Sequence, residues 1–174
     1  MIPHSAWPVD PAVIGPFLLA VALIELTPGP NMGLLALVSV ARGRLAGFAA
    51  VAGVTLGLAI WMVAAAFGLT QVFAAWPPLY QALRWAGVLF LLWLAWEAWR
   101  EPGVTDPTPD VRTLRGLFLR GLAGNLLNPK AALLYVVLLP GFIRPAYGST
   151  LMQALTLGAL HVLVSILVHT TIVL

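Results

Sequence analysis

Long apolar segments alternate with short polar ones along this chain, and the pattern predicts membrane-spanning helices. Each apolar segment is at least as long as the roughly 18 residues that a helix needs to cross a bilayer core of about 30 Å. None shows the strict alternation of a membrane β-strand. We therefore expect an all-α, polytopic helical membrane protein. Its predicted spans are Pro11 to Ala41, Leu45 to Leu69, Leu79 to Trp99, Gly116 to Ile143, and Thr150 to Leu174.

Two of these segments are interrupted near their middle by helix-breaking residues. The first contains Thr27-Pro28-Gly29-Pro30-Asn31, and the fourth contains Asn128-Pro129. Proline removes a backbone donor and disfavours helical geometry at the preceding residue, so each segment is predicted to consist of two half-helices. Backbone groups freed at this depth are tolerated only where they line a polar cavity or find polar partners. The breaks therefore predict a binding site inside the membrane.

The composition narrows the class of protein. Hydrophobic residues make up 61% of the chain and charged residues 9%, which excludes an ordinary soluble domain. No cysteine is present, so disulfides and thiolate sites are excluded. No basic stretch indicates nucleic acid binding. No nucleophile with its base and no set of metal ligands converges within the spans, so neither an enzyme nor a cofactor or metal site is predicted.

The arginines predict how the chain is oriented. Arg42 and Arg44 follow the first span, and the polar stretch from Arg100 to Arg115 carries three arginines. Because positive loops remain in the cytoplasm, both segments are expected there and the N-terminus outside. The polar stretch is predicted to be a loop, and a short uncharged connection between spans is expected around Thr70 to Pro78.

Small and charged residues in the second and third spans predict local contacts. Ala49, Gly53 and Gly57 form a small-xxx-small pattern that lets another helix approach closely. Packing within the chain is favoured here over a dimer face. Glu97, on the last turn of the third span, is interpreted as an interfacial partner of Arg100 rather than a buried functional acid.

The positions of the breaks predict an internal repeat. They lie on the first and fourth spans, so each begins a unit of three spans. An odd number of spans turns the second unit upside down, which is the inverted-repeat plan of many secondary transporters. We expect one domain over residues 1–174, with a first repeat at about 11–100 and a second at about 114–174 that lacks its last helix.

Lys130 is the only lysine and lies near the middle of the fourth span. A charge at that depth costs about 2.5 to 3.5 kcal/mol on insertion scales, so it is expected to face a cavity, a partner or a substrate path. Between broken helices, an amino acid zwitterion fits: Lys130 and backbone donors would hold its carboxylate, and Glu25 its ammonium. The alternative is a structural lysine neutralised by Glu25 or by carbonyls. Asn31, Asn125 and Asn128 are candidates for substrate contact or for helix capping.

The fifth span places His161, Ser165 and His169 at intervals of four, along one stripe of a helix. Histidine carries protons near neutral pH, so the stripe is a candidate proton path. The alternative, which we favour at this stage, is hydrogen bonding between helices.

The two interrupted segments also carry recognisable motifs. These are Thr27 to Asn31 followed by Ala41-Arg42-Gly43-Arg44-Leu45-Ala46-Gly47, then Phe118-Leu119-Arg120-Gly121 leading to Asn125-Leu126-Leu127-Asn128-Pro129-Lys130-Ala131 and Leu139-Pro140. In these motifs, and in their order over nearly the whole chain, the sequence resembles the LysE/RhtB family of bacterial amino-acid exporters. The resemblance implies a six-span inner-membrane protein that exports amino acids or close derivatives in exchange for protons. By this resemblance, the signature residues of the family correspond to Pro28, Gly29, Pro30, Asn31, Asn128, Pro129 and Lys130.

The sequence departs from the family pattern after Leu174, where a basic loop and a sixth span are expected. The chain is therefore expected to be a fragment, or to receive its missing helix from another chain, as in a homo-oligomer. Two alternatives to an exporter are a truncated, non-transporting membrane protein and a passive aquaporin-like channel. The channel is disfavoured because it needs two Asn-Pro-Ala elements. The expected substrate is a small neutral amino acid such as threonine or homoserine, with protons and membrane lipid as the other partners.

Overall fold

The computed structural model describes residues 7–100 and 111–174, and within these residues it contains helices and no strand. This confirms the all-α prediction. The helices are α1 (Pro11–Leu26), α2 (Pro30–Ala66), α3 (Leu69–Ala75), α4 (Pro77–Arg100), α5 (Val111–Leu126), α6 (Pro129–Leu133) and α7 (Thr150–Val173). The chain after α6 continues as a π-helical turn over Leu134–Leu138 and 3-10 turns over Leu139–Phe142 and Pro145–Tyr147.

The first predicted break lies between α1 and α2. Asp10 caps the start of α1 by accepting a hydrogen bond from the Ala12 amide at 3.0 Å. The helix ends at Leu26, because Thr27 is extended ahead of Pro28. Gly29 is also extended, with φ −160° and ψ 176°, and Pro30 begins α2 as its first helical residue. The prolines therefore end one helix and start the next.

Helix α2 reverses direction at Gly43, whose φ of 81° and ψ of 172° interrupt its helical backbone. Leu35, before the turn, packs in one buried cluster with Ala50 and Val51 after it. In a straight helix Leu35 and Ala50 would be about 22 Å apart, so the two arms fold back on each other. The positive φ favours glycine at this turn. We call residues 30–42 the first arm of α2 and residues 44–66 the second arm.

The second predicted break lies between α5 and Pro129–Phe142, which comprises α6 and the turns after it and which we call the α6 segment; the two are bent by 45°. Helix α5 ends at Leu126, and Asn128 is extended ahead of Pro129. Pro129 then occupies the first turn of α6, where its missing N–H costs no hydrogen bond.

Glycines let the helices around these breaks approach closely. A Cβ added at Gly53 in the second arm of α2 would lie 2.0 Å from the Phe118 carbonyl oxygen of α5, and one at Gly121 would lie 2.3 Å from the Ala50 carbonyl oxygen. The backbones of the second arm and α5 are therefore in contact. This confirms the prediction that the small residues of the second span pack within the chain.

The largest buried cluster joins α1, the second arm of α2, the α6 segment and α7. Its fully buried members include Phe17 and Val21 of α1, Val54 of α2, Leu134 of the α6 segment and Leu157 of α7. Many large apolar side chains on the outside, such as those of α4, are exposed. That distribution is expected of helices whose outer surface faces lipid.

Three of the described helices are long and apolar enough to cross a membrane, and the bent pair α5–α6 raises the number to four. The three are Pro30–Ala66, Pro77–Glu97 within α4, and Thr150–Val173. Helix α1 is apolar but shorter than a span. With the reversal at Gly43, α1 and the first arm of α2 together occupy the segment that the sequence predicted as a broken first span.

Several predicted boundaries and one predicted contact were wrong. The connection from Thr70 to Pro78 contains α3 and the start of α4. The stretch from Arg100 to Arg115 was predicted to be a loop, but Arg100 ends α4 and α5 already begins at Val111; residues 101–110 lie outside the described part of the chain. Glu97 pairs with Arg120 at 2.5 Å, whereas Arg100 lies over the Trp96 ring.

Candidate functional site

The two breaks meet at Lys130. Its ammonium nitrogen Nζ donates a hydrogen bond to the carbonyl oxygen of Thr27, at 2.7 Å. Thr27 is the residue at which α1 stops, so its carbonyl oxygen lies outside the regular helical ladder. The lysine of one break is therefore satisfied by a backbone carbonyl of the other break.

Side chain and backbone cap the second break. The Asn128 side-chain oxygen accepts a hydrogen bond from the Lys130 amide at 2.9 Å, and its backbone carbonyl accepts one from the Ala132 amide at 3.1 Å. Asn128 is the residue before the first helical position, where asparagine is among the preferred caps. Its side chain thereby fixes the backbone from which Lys130 projects.

The first break lacks such a cap. Gly29 precedes α2 and offers no side chain to the free amides of its first turn. Thr27, at the other side of the break, donates from its hydroxyl to the Leu23 carbonyl oxygen at 2.6 Å. Amide groups in the first turn of α2 are thus left for another acceptor.

Glu25, one turn before the first break, is held by α7. One carboxylate oxygen lies 3.0 Å from Nε2 of His161, and the other lies 3.5 Å from Nε2 of His169. Nδ1 of His161 is 2.9 Å from the Tyr135 hydroxyl. A neutral His161 satisfies both contacts if Nε2–H donates to Glu25 and Nδ1 accepts from the tyrosine. The result is a buried, hydrogen-bonded chain from Tyr135 to the carboxylate.

Ser165 supports this arrangement from the same face of α7. Its hydroxyl lies 3.1 Å from Nδ1 of His169, the ring nitrogen that faces away from Glu25. The polar stripe predicted in the fifth span therefore faces one carboxylate. It makes hydrogen bonds between helices, as the favoured interpretation predicted. Its role in moving protons stays a prediction.

A small polar cavity of about 20 Å³ lies between these groups. Most of the predicted site residues line it: Glu25, Gly29, Asn31, Asn125, Asn128, Lys130, His161 and His169. Pro28, Pro129 and Ser165 do not line the cavity; the two prolines shape the breaks, and Pro30 lines a neighbouring groove.

Asn125 is the least satisfied group in this cavity. It is fully buried, yet neither its amide nitrogen nor its amide oxygen has a hydrogen-bond partner in the described residues. An unpaired buried amide costs about 1 to 3 kcal/mol per polar group, so a partner is expected there in the working protein. Gly57 packs against it, since a Cβ at that glycine would lie 2.7 Å from the Asn125 amide oxygen.

The sequence left open whether Glu25 or a carbonyl at the break would neutralise Lys130. The hydrogen bond of Lys130 goes to the Thr27 carbonyl, while Glu25 contacts the histidines. One residue of the site was not predicted from the sequence. Tyr135 was not identified at all. A buried tyrosine hydroxyl needs a hydrogen-bond partner, and that need was the only signal in the sequence.

Apolar helices around a buried polar cavity, with two helices broken on either side of it, define a polytopic helical membrane protein with an internal site. The family follows from sequence comparison. Residues 22–173 match the family model described as LysE type translocator, so the chain belongs to the LysE family. This is a family of transporters and not of enzymes.

Relatives that are named for a function support the same assignment. The chain is 34% identical over 156 residues to a homoserine/homoserine lactone efflux protein from Salmonella typhi, covering 88% of this chain and 75% of the relative. It is 31% identical to a leucine efflux protein from Klebsiella pneumoniae, covering 73% and 61%, and 28% identical to a threonine efflux protein from Escherichia coli, covering 76% and 69%. No solved structure matches the chain significantly.

Proposed function

We propose that this protein exports small neutral amino acids across the bacterial inner membrane in exchange for protons, and that the substrate binds between the two broken helices. The observation that carries the proposal is the Asn125 amide, which has no partner among the described residues and is buried in a polar cavity beside Lys130. An amide and a lysine together suit a ligand that has both acceptor and donor groups, as the carboxylate and ammonium of an amino acid do.

The binding mode follows from the charges around the cavity. The substrate carboxylate binds the Lys130 ammonium and the free amides in the first turn of α2, at the positive end of the helix dipole. Binding releases Lys130 from the Thr27 carbonyl. The substrate ammonium binds the Asn125 amide oxygen, and Glu25 lies close enough to share its charge, since both residues line one cavity.

Proton exchange is assigned to Glu25 and the two histidines of α7. A proton on the carboxylate removes the negative charge that favours the substrate ammonium, so proton and substrate compete for the same site. His161 and His169 both contact this carboxylate and are the only described imidazoles that do. Competition of this kind couples outward movement of substrate to inward movement of protons.

The orientation rests on the arginines. Arg42, beside the reversal at Gly43, lines the same groove as Arg120 of α5. Two positive segments that are far apart in sequence therefore share one end of the bundle, which supports placing that end in the cytoplasm and the N-terminus outside. Five crossings, arranged as two inverted units over residues 11–100 and 114–174, are the proposed topology.

The substrate class follows from the relatives. Those compared above are named for homoserine, homoserine lactone, leucine and threonine, all without a charged side chain. Within the described cavity, Glu25 is the only acidic side chain, and α7 already occupies both of its oxygens. A second positive charge on the substrate would have no acceptor there, which supports a neutral side chain.

The test is transport in everted membrane vesicles that hold the protein. Labelled homoserine should accumulate when a proton gradient is imposed and should saturate with concentration. Lys130→Met removes one charge-assisted hydrogen bond to the substrate, so uptake should fall by about tenfold to a hundredfold. Arg84→Met is the matched control, because Arg84 is an exposed cation on α4 that lines neither cavity. It should transport normally.

Two results would contradict the proposal, each in a different way. Flux that neither saturates nor responds to the gradient would support a passive channel. Equal transport by wild type and Lys130→Met would remove the lysine from the proposed site.

A further inference from the structure

A second and larger cavity lies between the first arm of α2 and helix α4, and we call it the α2–α4 groove. Its volume is about 330 Å³, against about 20 Å³ for the central cavity. Its walls are mainly apolar side chains, such as Leu34, Leu37 and Leu94. An amino acid has several times the volume of a water molecule, which takes about 30 Å³ of liquid. The substrate therefore fits the groove but does not fit the central cavity in this conformation.

The groove begins where the central cavity ends. Pro30 lines the groove, while its neighbours Gly29 and Asn31 line the central cavity. The other end of the groove is at Arg42, twelve positions further along the first arm, which corresponds to about 18 Å of helix. That distance is more than half of the bilayer core of about 30 Å. The groove thus extends from the first break to the Gly43 turn, which the proposed topology places at the cytoplasmic surface of the membrane.

Charges of both signs lie at the surface end. Arg42, Glu97 and Arg120 line the groove there. Arg120 binds one Glu97 oxygen at 2.5 Å and lies over the Trp93 ring. The second Glu97 oxygen, Oε2, is buried without a hydrogen-bond partner among the described residues. A carboxylate oxygen that is buried without a partner is available to accept a hydrogen bond, and the Arg120 guanidinium beside it attracts an anion.

We propose that the α2–α4 groove is a cytoplasmic waiting site for the exported amino acid, separate from the central site. The substrate ammonium binds Oε2 of Glu97, the carboxylate is attracted by Arg120, and an apolar side chain lies against Leu37 and Leu94. When Lys130 leaves the Thr27 carbonyl, the substrate moves past Pro30 into the central cavity. This inference rests on the proposed function, because it assumes that the ligand is an amino acid.

Residues 1–174 contain no cysteine, so an introduced thiol is the only one among them and a direct test is simple. Leu94→Cys and Ala95→Cys place a thiol in the groove. Leu92→Cys is the matched control, because Leu92 lies on the same helix but is 62% exposed on the outside and does not line the groove. Each full-length variant is treated with a charged, membrane-impermeant thiol reagent, in everted and in right-side-out vesicles.

The expected result is selective labelling from the cytoplasmic side. A thiol in a hydrated groove ionises, whereas a thiol facing lipid does not, so the groove positions should react at least about tenfold faster than Leu92→Cys. Homoserine or leucine should slow labelling of the groove positions and leave the control unchanged. Glu97→Gln, added to Leu94→Cys, should abolish that protection. Ala95→Cys is the smaller change and guards against misfolding, which gel filtration in detergent would reveal.

Other results would overturn the inference. Slow labelling at all three positions would mean that the groove holds lipid. Fast labelling that amino acids do not slow would mean a hydrated groove without a substrate site. Labelling does not depend on transport, so the two proposals fail separately. Transport without protection contradicts only the waiting site, whereas protection without transport contradicts only the exporter.

Discussion

Both breaks in this protein interrupt a helix at a proline, but the side chains around them differ. The first break is tied to α7 through Glu25, whose two oxygens face His161 and His169. The second break carries Lys130, together with an Asn125 amide that has no partner in the part of the chain that the structure describes. The carboxylate beside the first break thus has a partner for each oxygen, whereas the Asn125 amide beside the second break has none among the described residues.

This difference supports a division of labour within the proposed site. A carboxylate that already has imidazole partners is suited to exchanging a proton with them. An unpaired amide beside a lysine is suited to gripping a ligand. We therefore expect changes at Glu25 to affect coupling and changes at Lys130 and Asn125 to affect binding.

The largest expected effect separates coupling from binding. Glu25→Gln keeps the shape of the side chain but removes the charge that proton and substrate compete for. Transport driven by a proton gradient should fall to background, whereas exchange of labelled for unlabelled homoserine across the vesicle membrane should continue. Lys130→Met is the comparison, because it should weaken both processes. If Glu25→Gln lost exchange and gradient-driven transport equally, the two breaks would not differ in role.

A smaller effect is expected from Gly57→Ala, which acts on the second break alone. Its Cβ would lie 2.7 Å from the Asn125 amide oxygen, so the asparagine side chain has to turn away from the cavity. Loss of one hydrogen bond to the substrate, about 1.4 kcal/mol, should raise the KM for transport about tenfold. The amount of folded protein should change little, because a side chain yields more easily than a backbone.

Gly53→Ala is the matched control for that change. Its Cβ would lie 2.0 Å from the Phe118 carbonyl oxygen, so it has to push α5 away from α2. The yield of folded protein should fall, while any molecules that fold should keep a normal KM. A normal KM for Gly57→Ala, measured on well-folded protein, would contradict the role given to Asn125.

The smallest expected effect compares the caps of the two breaks. Asn128→Ala removes the side chain that accepts from the Lys130 amide, and loss of such a cap costs typically about 1 kcal/mol. Gly29→Ala removes no side-chain cap, and its backbone is extended in a region that any residue adopts. Alanine is less favourable than glycine at the position before a helix, but it also lowers the entropy of the unfolded chain. The free energy of unfolding of Gly29→Ala should therefore change by less than about 0.5 kcal/mol.

Thermal unfolding of the two purified variants in detergent measures the difference in their stability. A clearly lower midpoint for Asn128→Ala than for Gly29→Ala is expected. Equal midpoints would mean that the Asn128 cap does not stabilise the second break.

Much of the fold could be predicted because its signals are local. The apolar segments indicated helices, and the prolines at positions 28, 30 and 129 indicated where two of them break. A proline acts on its own backbone and on the residue before it, so its effect does not depend on distant contacts. The boundaries of α5 and the presence of α3 were missed, since polar and short connecting segments give weak periodic signals.

The sequence by itself determined that the chain is helical, that it lies in a membrane and which residues interrupt its helices. Only the tertiary structure decided which groups meet at the breaks. Glu25 and a carbonyl at the break were both predicted as partners of Lys130, and the structure pairs Lys130 with the Thr27 carbonyl and Glu25 with α7. The reason is physical: helix packing sets which face of α7 points inward, and spacing along one helix carries no information about the helix opposite.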